Sequence, residues 1–307
     1  MANAASSSNI MIYIVIIGFV IIIAYIIYLG YKQSNRKGKK ASKSESYDAI
    51  GNTSNLSNSP DNRTVLILKT HVWNDNLEAF SEKLLRETNP FGVDFFIIMH
   101  SDNGKLINSV KNPNLKPHIL TVSEKEIKAV YPTGFYSMWL SNHWILMWFY
   151  RKYFDSYDYF WNIEYDVRIG GASNKIWNYQ GDEDFVFTVG PFQDKNWGWK
   201  NHYVGSKLDD SNKFYGYLQL ARYSNKFLNY LDRTYASGEN GQDEMMTFSL
   251  FVRSGYSGTK KPLAKLINNS WSVANSESDK HKKMLEESES EYRRNSKHLR
   301  IFHPVKF

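Results

Sequence analysis

Two short runs, TVLILKT (64–70) and VDFFIIMH (93–100), constrain the fold more than any other feature of this chain. Each is apolar almost without alternation, so a strand built from either must be covered on both faces. Between them lies HVWNDNLEAFSEKLLRE, where Asn74 or Asp75 can cap a helix that turns Leu77, Phe80, Leu84 and Leu85 inward. Strand, helix, strand is the unit of a parallel sheet flanked by helices. The same rhythm continues, with HILTV (118–122) as a third strand, SEKEIKAV as a short helix and YDYFWNI as a fourth strand. GFYSMWLSNHWILMWFYRKYF (134–154) has the length and composition of one buried helix.

Further on, SNKIWNY predicts a helix, DFVFTVG (184–190) and YGYLQLARYS predict strands, and NKFLNYLDRTYAS predicts a helix capped by Ser224. GENGQDEMMTFSLFVRSG reads as a glycine turn feeding an acidic helix start, and SESDKHKKMLEESESEYRRNSK as a charged, weakly ordered stretch. The last segment, HLRIFHPVKF, alternates so that Leu299, Ile301 and Val305 point inward. The expected fold class is α/β, a mostly parallel sheet flanked by helices.

The N-terminus is of another kind. Ile10–Gly30 is an uncharged apolar run long enough to span a bilayer. It lacks the basic leader and small-residue cleavage site of a signal peptide. The expected organisation is a tail (1–9), a transmembrane anchor (10–30), a basic Ser/Asn/Lys/Gly stalk (31–61) and an α/β domain (62–307). The cluster Lys32–Lys43 follows the anchor, which by the positive-inside rule places the domain in the cytosol. Sequons at Asn52, Asn55, Asn62 and Asn268 leave a lumenal domain as the alternative.

Net charge is +7, but +4 of it lies in residues 1–50. The remainder is close to neutral and shows no electrostatic footprint for nucleic acid. The chain has no cysteine, so neither disulfides nor thiolate metal sites enter.

Candidate chemistry gathers where strand four ends. In YDYFWNIEYDVRIGG the acids Glu164 and Asp166 flank Tyr165 and share a face, and Gly170–Gly171 would let the backbone turn closely. Ligands of open α/β sheets bind beyond the carboxyl ends of the strands. Two carboxylates there, without a neighbouring His or Cys, make a hard oxygen pair suited to Mg²⁺ or Mn²⁺. Solvated turn acids are the plain alternative. Thr70 and His71, at the end of strand one, and Asp102, in the HSDN turn, are placed for a nucleoside base or ribose. Asp243 and Glu244 open a helix, where acids also favour the macrodipole. Trp197, Trp199 and His202 can stack on a sugar face or pack on their own domain. No Walker-type phosphate loop, G-x-S-x-G elbow or H-E-x-x-H motif occurs.

Taken in order, FWNIEYDV, GQDE and the terminal HPVK resemble the GT-A-fold nucleotide-sugar glycosyltransferases that carry an E-Y-D-V version of the D-x-D motif. The resemblance runs from about Arg63 to Phe307. It implies that Glu164 and Asp166 hold Mn²⁺ or Mg²⁺ on a diphosphate, with His303 as a further metal ligand and Lys306 as a phosphate contact. Asp243 or Glu244 becomes the catalytic base. The implied partners are a nucleoside diphosphate sugar donor and a glycan, protein or lipid acceptor. Two other readings stay open: a metal-dependent phosphotransferase or nuclease using the same acids, and an inactive membrane-anchored carbohydrate-binding or interaction protein.

Overall fold

The computed structural model describes residues 63–102, 104–269 and 275–307. The tail, anchor and stalk expected at 1–61 lie outside the described residues. Among the described residues no helix is long and apolar enough to cross a membrane.

The chain begins with β1 (Thr64–Thr70), α1 (Asp75–Thr88), β2 (Val93–His100), β3 (Ile119–Val122) and α2 (Glu124–Lys128). It continues through α3 (His143–Tyr153), β4 (Tyr159–Glu164), β5 (Arg168–Gly171), α4 (Asn174–Trp177) and β6 (Phe185–Val186). Then come β7 (Tyr203–Val204), β8 (Leu220–Ser224), α5 (Asn225–Ala236), β9 (Asn240–Gly241), α6 (Asp243–Ser254) and β10 (Gly258–Thr259). The chain closes with β11 (Ile267–Asn269), α7 (Asn275–Arg294) and β12 (Leu299–His303).

Seven strands form the central sheet in the order β10-β6-β8-β4-β1-β2-β3. The neighbours β3/β2, β2/β1, β1/β4 and β10/β6 are parallel, and β8 runs antiparallel between β4 and β6. The expected mostly parallel α/β sheet is what forms. Its physical reason is visible in β1, where Val65 and Ile67 enter one core cluster and Leu66 and Leu68 enter the other. Both faces are covered, as the apolar run requires.

Local signals set the first helices. Asn74 caps α1, its side chain accepting from the Leu77 amide at 2.9 Å, and Leu77, Phe80 and Leu84 are buried. Ser123 and Glu126 form a reciprocal capping box at α2.

Several expectations need correction. The run 134–154 is helical only from His143; residues 134–142 form an irregular segment. Asp243 N–H donates to Leu140 O at 2.9 Å, so this segment is pinned to the start of α6. The strand expected over DFVFTVG is two residues long, the one in YGYLQLARYS starts only at Leu220, and the helix in SNKIWNY is a single turn. The charged stretch near the C-terminus is α7, a twenty-residue helix. It docks through Ser278, His281 and Ser288, which are buried although polar.

Gly170 and Gly171 do not make a turn at the acids. They belong to β5, which pairs antiparallel with β12 in a second sheet ordered β11-β12-β5. A Cβ on Gly170 would lie 2.4 Å from Ser288 Oγ, so this glycine lets α7 approach. Gly171 sits at φ +91°, and a Cβ there would lie 2.1 Å from the carbonyl oxygen of His298. Gly171→Ala is therefore expected to lower the melting temperature by roughly 5–10 °C, equivalent to about 2–3 kcal/mol of clash and strain. Gly92→Ala is the control, because Gly92 also has positive φ (+64°) but open space around it. Equal melting temperatures for the two variants would show that the close approach of β5 and β12 is not what the glycine serves.

Candidate metal and transfer site

The carboxyl ends of β1, β2 and β4 open into a cleft of about 660 Å³. Lysine and acid meet at its floor. Lys69, near the end of β1, is 4% exposed, and its Nζ lies 3.7 Å from Glu164 Oε1 at the end of β4. The same oxygen accepts a hydrogen bond from Asn142 Nδ2 at 2.8 Å. Beyond Glu164 the chain turns, with Val167 N–H donating to Glu164 O at 3.1 Å, and this turn carries Asp166 over the cleft. The two acids thus converge through a turn after the strand ends, not through strand alternation.

The C-terminal segment meets them from the side. Leu299 and Ile301 are buried in β12, as is Val305 beyond it, and Val305 N–H donates to Asp166 O at 2.7 Å. His303 is thereby brought to 3.6 Å (Nε2) from Asp166 Oδ1. Its Nδ1–H donates to Asn269 Oδ1 at 2.8 Å, the tautomer that leaves the Nε2 lone pair facing the acid. Burial holds His303 below the usual imidazole pKa, although the Asp166 charge opposes the shift. Burial raises Asp166, although His303 opposes it.

Asp166 Oδ1 is buried and has no hydrogen-bond partner. A carboxylate oxygen and an imidazole lone pair therefore face each other at a separation too long for a hydrogen bond. Ligand atoms of Glu164, Asp166 and His303 all lie within 4.8 Å of one another. A divalent cation would satisfy that orphaned oxygen and remove the repulsion. The residues present fit such an ion. Asp166 and His303 offer the open donors, while Glu164 is anchored by Lys69 and Asn142.

Across the cleft, Gln242 caps α6 by accepting from Met245 N–H at 2.7 Å. Asp243, the first residue of α6, is 7% exposed, and its Oδ1 accepts from Gln242 Nε2 and from Glu244 N–H, both at 2.8 Å. Burial and the Glu164 charge push Asp243 up to about 7, with Lys69 pulling the other way. Half-buried Glu244 is raised well above the ordinary carboxylate range by desolvation and by its neighbours Asp243 and Glu164.

The nine residues singled out in the sequence for metal, nucleotide or base roles line this one cleft: Thr70, His71, Asp102, Glu164, Asp166, Asp243, Glu244, His303 and Lys306; of the loop aromatics only Trp199 joins them, and Trp197 and His202 do not. Their engagements differ. The Thr70 hydroxyl is used locally, donating to Val72 O at 2.5 Å and accepting from Val72 N–H at 3.1 Å. His71 packs edge-on against Tyr165, with ring centroids 4.7 Å apart. Asp102 Oδ1 accepts from the Glu124 amide at 2.9 Å and so steadies the start of α2. Lys306 lies close enough to Asp166 to lower its pKa.

Of the loop aromatics, Trp197 stacks on Tyr215 at 4.4 Å and belongs to its own domain. Trp199 lines the cleft instead, edge-on to Trp139 at 4.9 Å. Trp139, read in the sequence as part of a buried helix, is 62% exposed.

Lys69, Asn142 and Asn269 were not singled out by sequence reasoning. Lys69 did carry a signal, a lysine inside a strand that is otherwise apolar on both faces. The two asparagines carried none, because their contacts are made only by the tertiary fold.

No protein-family model matches the chain, and no curated protein matches it in sequence. Solved structures that overlay on it include the galactosyltransferase LgtC in complex with donor and acceptor sugar analogues, at 14% identity over 61% of this chain and 70% of that one, with a TM-score of 0.35. The bifunctional glycosyltransferase WbbM overlays at 11% identity over 82% of this chain and 47% of that one, TM-score 0.39. The inositol-1-phosphate CTP transferase of T. maritima does so at 11% identity over 65% and 85%, TM-score 0.40.

Proposed function

We propose that this protein is a metal-dependent glycosyltransferase, moving a sugar from a nucleoside diphosphate sugar to an acceptor hydroxyl. The observation that carries the reading is the buried, unpartnered Asp166 Oδ1 facing His303 Nε2, with the raised Asp243–Glu244 pair in the same cleft. Asp166 and His303, with Glu164 beside them, are the residues that would hold Mn²⁺ or Mg²⁺. Bound there, such an ion would neutralise charge developing on a diphosphate leaving group.

The chain's own residues supply the rest. Lys306 places a cation beside the diphosphate, and His71 and Asp102 flank the end of the cleft where a nucleoside would lie. Asp243, or Glu244 beside it, takes the proton from the acceptor hydroxyl. That oxygen forms the new bond to the anomeric carbon as the bond from that carbon to the phosphate oxygen breaks, and the nucleoside diphosphate departs with the electron pair. A base in that role serves an inverting transfer.

Phosphoryl transfer on nucleic acid would use the same acids but needs a basic groove. The lysines lining the cleft are Lys69, spent on Glu164, and Lys306, against five carboxylates. The domain is proposed to face the cytosol from an N-terminal anchor, on the strength of the Lys32–Lys43 cluster alone. A gel shift of the cellular protein on treatment with a lumen-restricted endoglycosidase would reverse that orientation.

The direct test is thermal shift of the full-length protein with Mn²⁺ and a panel of nucleoside diphosphates. Stabilisation by one of them only when Mn²⁺ is present is expected; no stabilisation by any pair would remove the transferase reading.

Trp139 and Trp199 extend this reading to the acceptor. Both sit on loops tied by backbone to the α6 start: Leu140 O accepts from Asp243 N–H at 2.9 Å, and His202 O accepts from Gln242 N–H at 2.8 Å. An apolar sugar face laid on this shelf would hold its hydroxyl near the carboxylate pair. Trp139→Ala is expected to raise the KM for a saccharide acceptor about tenfold, corresponding to roughly 1.4 kcal/mol of lost stacking. Metal-dependent donor hydrolysis should be unchanged. A fall in donor hydrolysis with an unaltered acceptor KM would assign the pair to the donor side.

A further inference from the structure

A second cavity, of about 440 Å³, is lined by residues of α4, the segment 262–266 and the approach to β12. Its wall is sharply one-sided in charge. Lys175, Lys297 and Arg300 line it, and no carboxylate is among the described residues that do. Trp161 of β4 also lines it and is fully buried. Asn295 and His298 add polar wall, and Ile176, Pro262, Leu263 and Leu266 make an apolar part.

We propose that this cavity binds a phosphate ester, its phosphate taken by Lys297 and Arg300 and its organic body lying on the apolar part of the wall. Arginine and lysine supply the charge-assisted donors that phosphate favours. The volume exceeds that of a bare phosphate and falls in the range of small-ligand sites. The inference goes beyond the transferase reading and stands without it, because none of these residues lines the metal cleft. Free sugar phosphates and anionic lipid headgroups share the required chemistry.

The test measures binding of inorganic phosphate and glycerol 3-phosphate by calorimetry, and of phosphatidic-acid vesicles by flotation, to the full-length protein in EDTA. Binding of at least one is expected. Soluble phosphates alone would identify a free metabolite as the source, and vesicles alone a lipid headgroup. Lys297→Ala/Arg300→Ala should weaken that binding at least tenfold; both side chains are exposed at the rim, so the fold should stand. Asp166→Asn should bind like wild type. Failure of all three ligands to bind, wild-type affinity in the double variant, or loss of binding in Asp166→Asn would overturn the proposal. Since EDTA silences the metal site, none of these outcomes bears on the transferase reading.

Discussion

Asp166→Asn is expected to abolish Mn²⁺-dependent transfer, by roughly a thousandfold or more, while leaving the metal-free protein at least as stable as wild type. The loss follows from removing the carboxylate whose Oδ1 faces His303, since a metal contributes several kcal/mol of transition-state charge stabilisation. The retained stability follows from burial. Asp166 is 7% exposed, not a solvated turn acid, and its pKa is raised in the folded protein. A carboxyl raised on folding contributes stability that is full at low pH and is lost as pH rises through the folded value. Asparagine does not titrate, so it escapes that loss. His303→Ala should weaken Mn²⁺ as well but leave residual metal dependence through the two acids. The measurement is activity titrated against Mn²⁺, with melting curves in EDTA. Wild-type metal dependence in Asp166→Asn would make the E-Y-D segment an ordinary turn and end the metal-site argument.

How much of this was legible beforehand depended on whether the signal was local. The apolar runs at 64–70 and 93–100 dictated coverage of both faces and hence the parallel sheet, and Asn74 and Ser123 dictated where α1 and α2 start. Glu164, Asp166, Asp243 and Glu244 could be singled out because they stand at the ends and starts of legible elements.

What stayed hidden was set by distant contacts. Helix α7 has no apolar stripe to announce it, because the face it buries carries Ser278, His281 and Ser288. Its seat exists because Gly170, some hundred residues earlier in the chain, has no side chain there. The aromatic run before α3 has helical composition, yet Leu140 O is drawn out to Asp243 N–H, and Trp139 is left exposed at the cleft. Composition could not show this. An exposed tryptophan and a buried one are the same letter until the surroundings are known.

Asp243→Asn is the substitution in which stability and activity should part most widely. Asp243 is buried, and it is held near pH 7 by that burial and by Glu164, in spite of Lys69. As a base it must be deprotonated to act, so kcat/KM should rise with pH up to about 7 and level off above it. Because the Asp243 charge also raises Glu244, that apparent value belongs to the pair. Asparagine cannot accept the proton, and loss of general-base catalysis should cost roughly 10²–10⁴-fold in kcat, with donor affinity nearly intact. The stability change has the opposite sign. Folding raises the Asp243 pKa from 3.8, so the wild-type protein loses stability as pH rises through about 7. Removing that loss is expected to add on the order of 2–4 kcal/mol above pH 8 and almost nothing near pH 4. In a domain of this size that corresponds to a melting temperature higher by roughly 5–10 °C at the upper pH. The acceptor geometry survives, since an asparagine Oδ1 can still receive the Gln242 and Glu244 N–H groups. Melting curves of wild type and variant in EDTA at both pH values, set beside their transfer rates with Mn²⁺, decide the matter. A variant that is inactive but gains nothing at high pH would mean that water or Lys69 already relieves the buried charge. One that stays active would move the base to Glu244, whose raised carboxyl stands beside it in the same cleft.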